Sequence, residues 1–74
     1  MQAGIMATPT VDVRDMLCAQ ALAVVARAVD AAVAGEALEV RYNTDDVKRD
    51  LVHWARDRGV AISEDGPMRL RIQR

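Results

Sequence analysis

Residues 60–73 have the sequence Val-Ala-Ile-Ser-Glu-Asp-Gly-Pro-Met-Arg-Leu-Arg-Ile-Gln, and this stretch decides the fold. At both of its ends apolar and polar side chains alternate with period two, which places Val60 and Ile62, and then Met68, Leu70 and Ile72, on one face. This alternation is typical of strands with one buried face. The intervening Glu64-Asp65-Gly66-Pro67 has the composition of a turn. The stretch therefore predicts a β-hairpin that presents one apolar face and one wet face.

Two segments further upstream alternate in the same way, and two others have helical period. In the first alternating segment Val11 and Val13 lie on one face, and in the second Leu38, Val40 and Tyr42 do. The first helical segment has an apolar stripe of Leu22, Val25, Ala26, Val29 and Val33, and Gly35 is its expected C-terminal cap. The second has an apolar stripe of Val47, Leu51, Trp54 and Ala55. Its expected N-cap is Asn43 or Thr44, and Gly59 closes it.

The resulting order is β-α-β-α-β-β, an α/β (α+β) fold. Charged residues occupy the second face of three of the four strands, so both helices must cover the apolar face. We therefore expect a two-layer sandwich in which a four-stranded mixed sheet carries both helices on one side. Residues 1–9 lack periodicity and are expected to be a flexible tail before a domain over residues 10–74.

Composition narrows the range of functions. The chain has 74 residues, a net charge of −1, one cysteine and one histidine, so an intrachain disulfide is impossible and a zinc cluster is not expected. An enzyme with a deep private active site is nearly excluded at this length. No apolar run is long enough to span a bilayer. We expect a cytoplasmic protein with a reduced thiol, without membrane attachment, metal or organic cofactor.

The charge is unevenly spread. Residues 1–47 hold three arginines against seven acids, whereas residues 48–74 hold seven basic residues against four acids. Five arginines could form a basic patch on the open sheet face, either as a simply solvated surface or as a docking surface for an acidic partner or an RNA backbone. Direct nucleic-acid binding is not expected, because the face shows no aromatic side chain for base stacking. The five are Arg14, Arg41, Arg69, Arg71 and Arg74.

Cys18 lies where the first strand leads into the first helix. A lone cysteine is more often a small buried hydrophobe than a reactive group. At a helix start, however, free N–H groups and the helix dipole favour the thiolate. The single histidine, His53, falls outside the apolar stripe of its helix and is expected to face solvent. A thiol without a base fits a carrier whose partners supply the acid–base chemistry.

The residues around this thiol resemble a known family. Val11-Asp12-Val13-Arg14-Asp15-Met16-Leu17-Cys18 is similar to the Asp-x-Arg-Gly-x-x-Cys-Pro-x-Pro opening of the TusA/SirA-like sulfur carriers. Gly35-Glu36-Ala37-Leu38-Glu39-Val40 is similar to the family's entry into the second strand. Asp50-Leu51, Trp54 and Gly59 resemble its positions on the second helix.

The resemblance implies that Cys18 accepts sulfane sulfur as a persulfide. The donor would be a cysteine desulfurase or a rhodanese-like protein, and the acceptor a protein of tRNA thiolation, molybdenum-cofactor synthesis or sulfur oxidation. Asp12 and Arg14 would shape the loop. Gln20 could hydrogen-bond a bound sulfur or a partner, and Asp50 could pair near the cysteine loop.

Three departures from the family pattern leave other functions open. Ala19 and Ala21 replace the two prolines and restore two N–H donors, while Asp15 replaces the glycine and is expected to disfavour the thiolate. One alternative is an interaction module that keeps the fold without the chemistry. Another is a redox switch that dimerises through Cys18.

Overall fold

A computed structural model describes residues 9–33 and 35–74, so the expected tail lies almost wholly outside the described residues. The element order β-α-β-α-β-β is confirmed, and the six elements follow the alternating and helical segments of the sequence. They are β1 (Thr10–Asp12), α1 (Cys18–Ala31), β2 (Ala37–Arg41), α2 (Asp45–Arg58), β3 (Ala61–Glu64) and β4 (Arg69–Gln73).

The four strands form one mixed sheet in the order β1-β2-β4-β3. β1 runs parallel to β2, and β4 is antiparallel to both β2 and β3. The carboxyl ends of β1 and β2 therefore lie beside the amino end of β4, at the same end of the sheet. The chain leaves β1 at this end and reaches Cys18 within a few residues, so we call it the cysteine end of the sheet.

The core lies between the sheet and the two helices and is entirely aliphatic apart from one tyrosine. Its members come from every layer, which fixes both helices on the same face as expected. The buried cluster comprises Val13, Ala21, Val25, Val29, Leu38, Val40, Tyr42, Val47, Leu51, Leu70 and Ile72. Neither helix in the described part of the chain has the length and apolar character needed to cross a lipid bilayer.

α2 begins and ends as its local sequence predicts. The Thr44 hydroxyl accepts a hydrogen bond from the Val47 N–H at 3.3 Å, so Thr44 rather than Asn43 is the N-cap. Gly59 closes the helix with φ at 75°, a conformation that glycine adopts without a steric penalty. Trp54 is only half-buried, and the Arg58 guanidinium lies 5.2 Å from its ring centre.

Two predictions about α1 are wrong. The helix ends at Ala31 with Ala32 as its C-cap, so Gly35 is not the cap, and Val33 lies beyond the helix with 69% of its surface exposed. Arg74, which is distant in the sequence, accounts for this earlier end of the helix. Arg74 donates from one guanidinium nitrogen to the carbonyls of Val29 at 2.7 Å, Asp30 at 3.0 Å and Ala32 at 2.7 Å.

The assignment of Met68 to the buried face of β4 is also wrong. Met68 has φ at 55° and 56% exposure, because it belongs to the turn that precedes the strand. Its carbonyl accepts a hydrogen bond from the Tyr42 N–H at 3.2 Å, which holds the turn against the end of β2.

Candidate functional site

Cys18 is the first residue of α1 and is partly buried against the core. It follows Leu17, which occupies the N-cap position with 74% of its surface exposed. Leucine has no side-chain acceptor and is among the poorest N-cap residues. Cys18 therefore lies beside an exposed apolar side chain, at a helix start that has no side-chain cap from Leu17.

Gln20 compensates in part for this missing cap. Its Oε1 accepts a hydrogen bond from the Leu17 N–H at 3.2 Å. This contact is one half of a capping box, in which the third helical residue reaches back to the N-cap. Gln20 therefore orients the backbone on either side of Cys18, and its carbonyl oxygen is already engaged there.

Asp12 and Arg14 form a compact unit in the loop after β1. The Asp12 carboxylate accepts from the Arg14 backbone N–H at 3.0 Å, from Nε at 3.0 Å and from Nη2 at 2.8 Å. These bonds with Arg14 lower the pKa of Asp12 from 3.8 to about 2. The pair bends the chain away from β1 and starts the turn that leads to Cys18.

Asp15, at the family's glycine position, has φ at 63°. Aspartate tolerates this left-handed conformation better than most side chains. Its backbone N–H donates to Asn43 Oδ1 at 3.0 Å, and its carboxylate accepts from Asn43 Nδ2 at 2.7 Å. The two-way bond ties the cysteine loop to the segment between β2 and α2, so the replacement keeps the turn that glycine would allow.

Asp50 projects from α2 towards Cys18. A hydrogen bond to the Asp50 carboxylate is the main cause that raises the pKa of the Cys18 thiol, followed by burial and by the charges of Asp50 and Asp46. Arg49 acts in the opposite direction. In the resting protein these groups outweigh the effect of the helix start, and the acids that raise the thiol pKa are Asp50 and Asp46 rather than Asp15.

Ala19 and Ala21 stand where the family has prolines, and the backbone N–H of Ala21 already forms a hydrogen bond. The Ala21 N–H donates to the Leu17 carbonyl at 2.9 Å, and the Ala21 side chain is fully buried. Ala19 is exposed in the first helical turn, where no intrahelical carbonyl is within reach of its N–H. Only Ala19 thus adds a donor that could face a sulfur anion, one fewer than the sequence suggested.

His53 is on the exposed side of α2, as expected. Within residues 9–33 and 35–74, no three His, Cys, Asp or Glu side chains converge as a group of metal ligands. The structure therefore brings Cys18, Gln20 and Asp50 to the start of α1, with Asp12 and Arg14 in the loop that precedes it.

The comparison with protein families gives one match, to the sulfurtransferase TusA family, over residues 9–74. The chain belongs to this family. The match covers the whole cysteine loop and both helices, so it includes each site residue of this TusA-family chain. Comparisons with curated proteins and with solved structures give no match. Family membership supports a sulfur-carrier role in general, alongside donors and acceptors of sulfur.

Sequence reasoning missed two contributors to this site. Asn43 was considered only as a helix cap, although its side chain binds Asp15. Asp46 was not assigned to the site, although its charge helps to raise the pKa of the Cys18 thiol. Each of these two residues acts on a residue that belongs to a different part of the chain. No local pattern reports that α2 lies beside the start of α1, so only the packed structure could identify them.

Proposed function

We propose that this chain carries sulfane sulfur on Cys18 as a persulfide and passes it to a partner protein. The observation that carries the proposal is the position of Cys18. It is a partly exposed thiol on the first residue of α1, at the cysteine of the TusA-family motif, next to an exposed Leu17. A carrier thiol has to be reached by two different proteins, and this position is open to both.

Loading is an exchange in which atoms and electrons balance. The Cys18 thiol loses its proton, and the thiolate attacks the outer sulfur of a donor persulfide. The donor S–S bond breaks, its electron pair stays on the donor cysteine as a thiolate, and the new S–S bond forms on Cys18. The released proton restores the donor thiol. Unloading is the same exchange with an acceptor thiolate as the attacking group, so no oxidant or reductant is needed.

Asp50 influences the resting state of the carrier thiol. Its carboxylate is the main cause that raises the pKa of Cys18. The free carrier therefore rests as a protonated thiol, which is a poor nucleophile and is less easily oxidised. Attack on a donor persulfide requires loss of this proton when the donor binds.

The pathway in which the chain acts depends on the proteins that supply and accept the sulfur. A cysteine desulfurase or a rhodanese-like protein would supply the sulfur, and the acceptor would act in tRNA thiolation, molybdenum-cofactor synthesis or sulfur oxidation. No metal or organic cofactor takes part in the exchange. The chain would be a sulfurtransferase in the sense that it moves sulfur between two proteins.

Intact-mass spectrometry after incubation with a cysteine desulfurase and cysteine, or with inorganic polysulfide, tests the loading step. The expected product gains one sulfur atom that a reductant removes, while Cys18→Ser gains none. An unchanged mass in a chain whose Cys18 still reacts with iodoacetamide would contradict the proposal and favour an interaction module. A reducible dimer on a non-reducing gel after mild oxidation would instead favour the redox switch.

A further inference from the structure

The face of the sheet that no helix covers carries an excess of positive charge at the cysteine end. Its strand residues form cross-strand rows, of which one is Asp12, Arg41 and Arg69 and the next is Thr10, Glu39, Arg71 and Ser63. Arg14 joins the first row through its bond to Asp12. This surface, which we call the arginine face, has four arginines against two acids on a chain whose net charge is −1.

Two of these arginines face each other directly. Arg41 and Arg69 are partners in the antiparallel register of β2 and β4, and like charges in that position destabilise a sheet. Both form an ion pair with Glu39, at 3.5 Å and 3.8 Å, and the Glu39 oxygen involved forms no hydrogen bond despite being buried. Asp12 also lies near Arg41, but its carboxylate is bound to Arg14. One carboxylate thus balances two guanidinium groups, with poor geometry.

Arg74 does not belong to this surface, although the sequence grouped it there. Its guanidinium binds the carbonyls at the end of α1. Arg71 remains, opposite Glu39 and exposed, without an ion pair to any described acid. The arginine face is consequently more concentrated at the cysteine end than the sequence alone indicated.

The surface is also shaped there. An open depression of about 390 Å³ lies between the loop after β1 and the turn before β4. Exposed Met68 lines it with an apolar thioether next to the guanidinium groups. The residues that line the depression are Arg14, Arg41, Tyr42, Pro67, Met68 and Arg69.

We propose that the arginine face docks an acidic segment of a partner protein at the cysteine end of the sheet. Charge complementarity identifies the occupant, since guanidinium groups that lack carboxylates inside the chain would gain them from the partner. Met68 supplies an apolar contact beside them. The like-charged pair of Arg41 and Arg69 lowers the stability of the free chain and is relieved when a partner's carboxylates bind.

A protein fits this surface better than RNA does. The one tyrosine of the depression, Tyr42, is 5% exposed and cannot stack on a base. Two acids, Asp12 and Glu39, also remain on the face and would repel a continuous phosphate backbone. A peptide can place its few carboxylates between them. The proposal concerns binding only, so it does not require sulfur transfer by Cys18.

The test is a nuclear magnetic resonance titration of the full isotope-labelled chain with a glutamate-rich peptide, repeated with single-stranded RNA and with anionic phospholipid vesicles. We expect saturable shifts at the amides of Arg14, Arg41, Met68 and Arg69, which weaken as salt rises. The double variant Arg41→Gln/Arg69→Gln should bind about threefold to tenfold more weakly, the effect of losing two exposed ion pairs. The control double variant Arg27→Gln/Arg56→Gln removes the same charge from the helices and should bind as the parent does.

Thermal unfolding of the same proteins separates docking from a structural role. The proposal predicts that Arg41→Gln/Arg69→Gln unfolds at the same temperature as the parent or a higher one, because a like-charged pair is removed. Equal peptide affinity of both double variants would overturn the proposal. So would tighter binding of RNA or vesicles at these arginines, or a clear loss of stability on their replacement.

Discussion

The reactivity of Cys18 depends on opposing influences at one sulfur atom. The start of α1 favours a negative charge there, whereas the Asp50 carboxylate, burial and Asp46 raise the pKa of the thiol. The motif identified the cysteine, and its position identified the favourable helix terminus. Whether the thiol pKa is raised or lowered overall could not be predicted, because the carboxylates that raise it belong to α2, about thirty residues further along the chain.

Replacement of Asp50 tests this balance at the residue scale. Asp50→Asn removes the main cause that raises the thiol pKa, so the pH midpoint of the alkylation rate with iodoacetamide should move down, and alkylation at neutral pH should become faster. Asp57→Asn removes the same charge from the exposed end of α2 and should leave the profile unchanged. An unaltered or upward-shifted profile in Asp50→Asn would contradict the placement of this carboxylate.

The Asp12–Arg14 pair gives a second prediction at this scale. Arg14→Gln should raise the pKa of Asp12 from about 2 towards 3.8, as measured by carbon chemical shifts of the carboxyl group. The lowered pKa contributes stability above pH 3.8 that is lost as the pH falls towards 2. Arg14→Gln should therefore flatten the loss of stability in that window, whereas Arg27→Gln should not. A pKa of Asp12 that does not respond would show that the pair does not form in solution.

At the scale of elements, α1 is fixed by a side chain at each end. Gln20 reaches back to Leu17 at its start, and Arg74 binds three carbonyls at its end. The helix has no basic residue in its own last turn, so Arg74 supplies the positive charge that a helix C-terminus favours. Arg74 thus holds the end of α1 that lies opposite Cys18.

Loss of the Arg74 contact should weaken the helix measurably. Arg74→Gln should lower the free energy of unfolding by about 1 kcal/mol, the scale of a charge at a helix end with its hydrogen bonds. Urea denaturation provides the measurement. The control Arg71→Gln neutralises a charge in β4, close to Arg74 in the sequence but without contact to α1, and should change stability by less than about 0.5 kcal/mol. Equal effects of the two variants would contradict the capping role.

The two alanines after Cys18 should respond differently to proline. Ala19→Pro removes an N–H that has no intrahelical acceptor, so stability should stay equal or rise by up to about 1 kcal/mol. Ala21→Pro breaks the bond to the Leu17 carbonyl and adds atoms at a fully buried position, so it should cost about 2 kcal/mol. Thermal unfolding of the two variants decides the matter. A larger loss in Ala19→Pro would contradict the assigned role of the Ala21 N–H.

The elements differ in how far sequence could predict them. The residues that start and end α2, Thr44 and Gly59, are adjacent to it in sequence, and its bounds were predicted correctly. The end of α1 was placed too late, because Arg74 lies more than forty residues from the carbonyls that it binds. The layer assignment followed from alternation, since the charged second faces leave one side of the sheet for both helices. The strand order β1-β2-β4-β3 comes from the structure alone.

At the scale of the whole molecule, the sandwich separates charge around Cys18. The helix side of the cysteine end presents Asp46 and Asp50, whereas the open side of the sheet presents the arginine face. A partner that meets both sides can approach in one orientation, which is useful to a carrier that must align two sulfur atoms. The alternation pattern predicted the two faces, but the packed fold was needed to show that both meet at this end.

If the chain is a sulfur carrier, one sulfur atom should enter and leave through Cys18. The chain is loaded by a cysteine desulfurase with cysteine labelled by a heavy sulfur isotope, purified, and mixed in turn with acceptor proteins of tRNA thiolation, molybdenum-cofactor synthesis and sulfur oxidation. Intact masses of both proteins are then followed together. We predict that one heavy sulfur atom leaves the chain as one appears on the acceptor, and that Cys18→Ser transfers none. Label that stays on the chain, appears only as free sulfide or passes equally through Cys18→Ser would contradict the account.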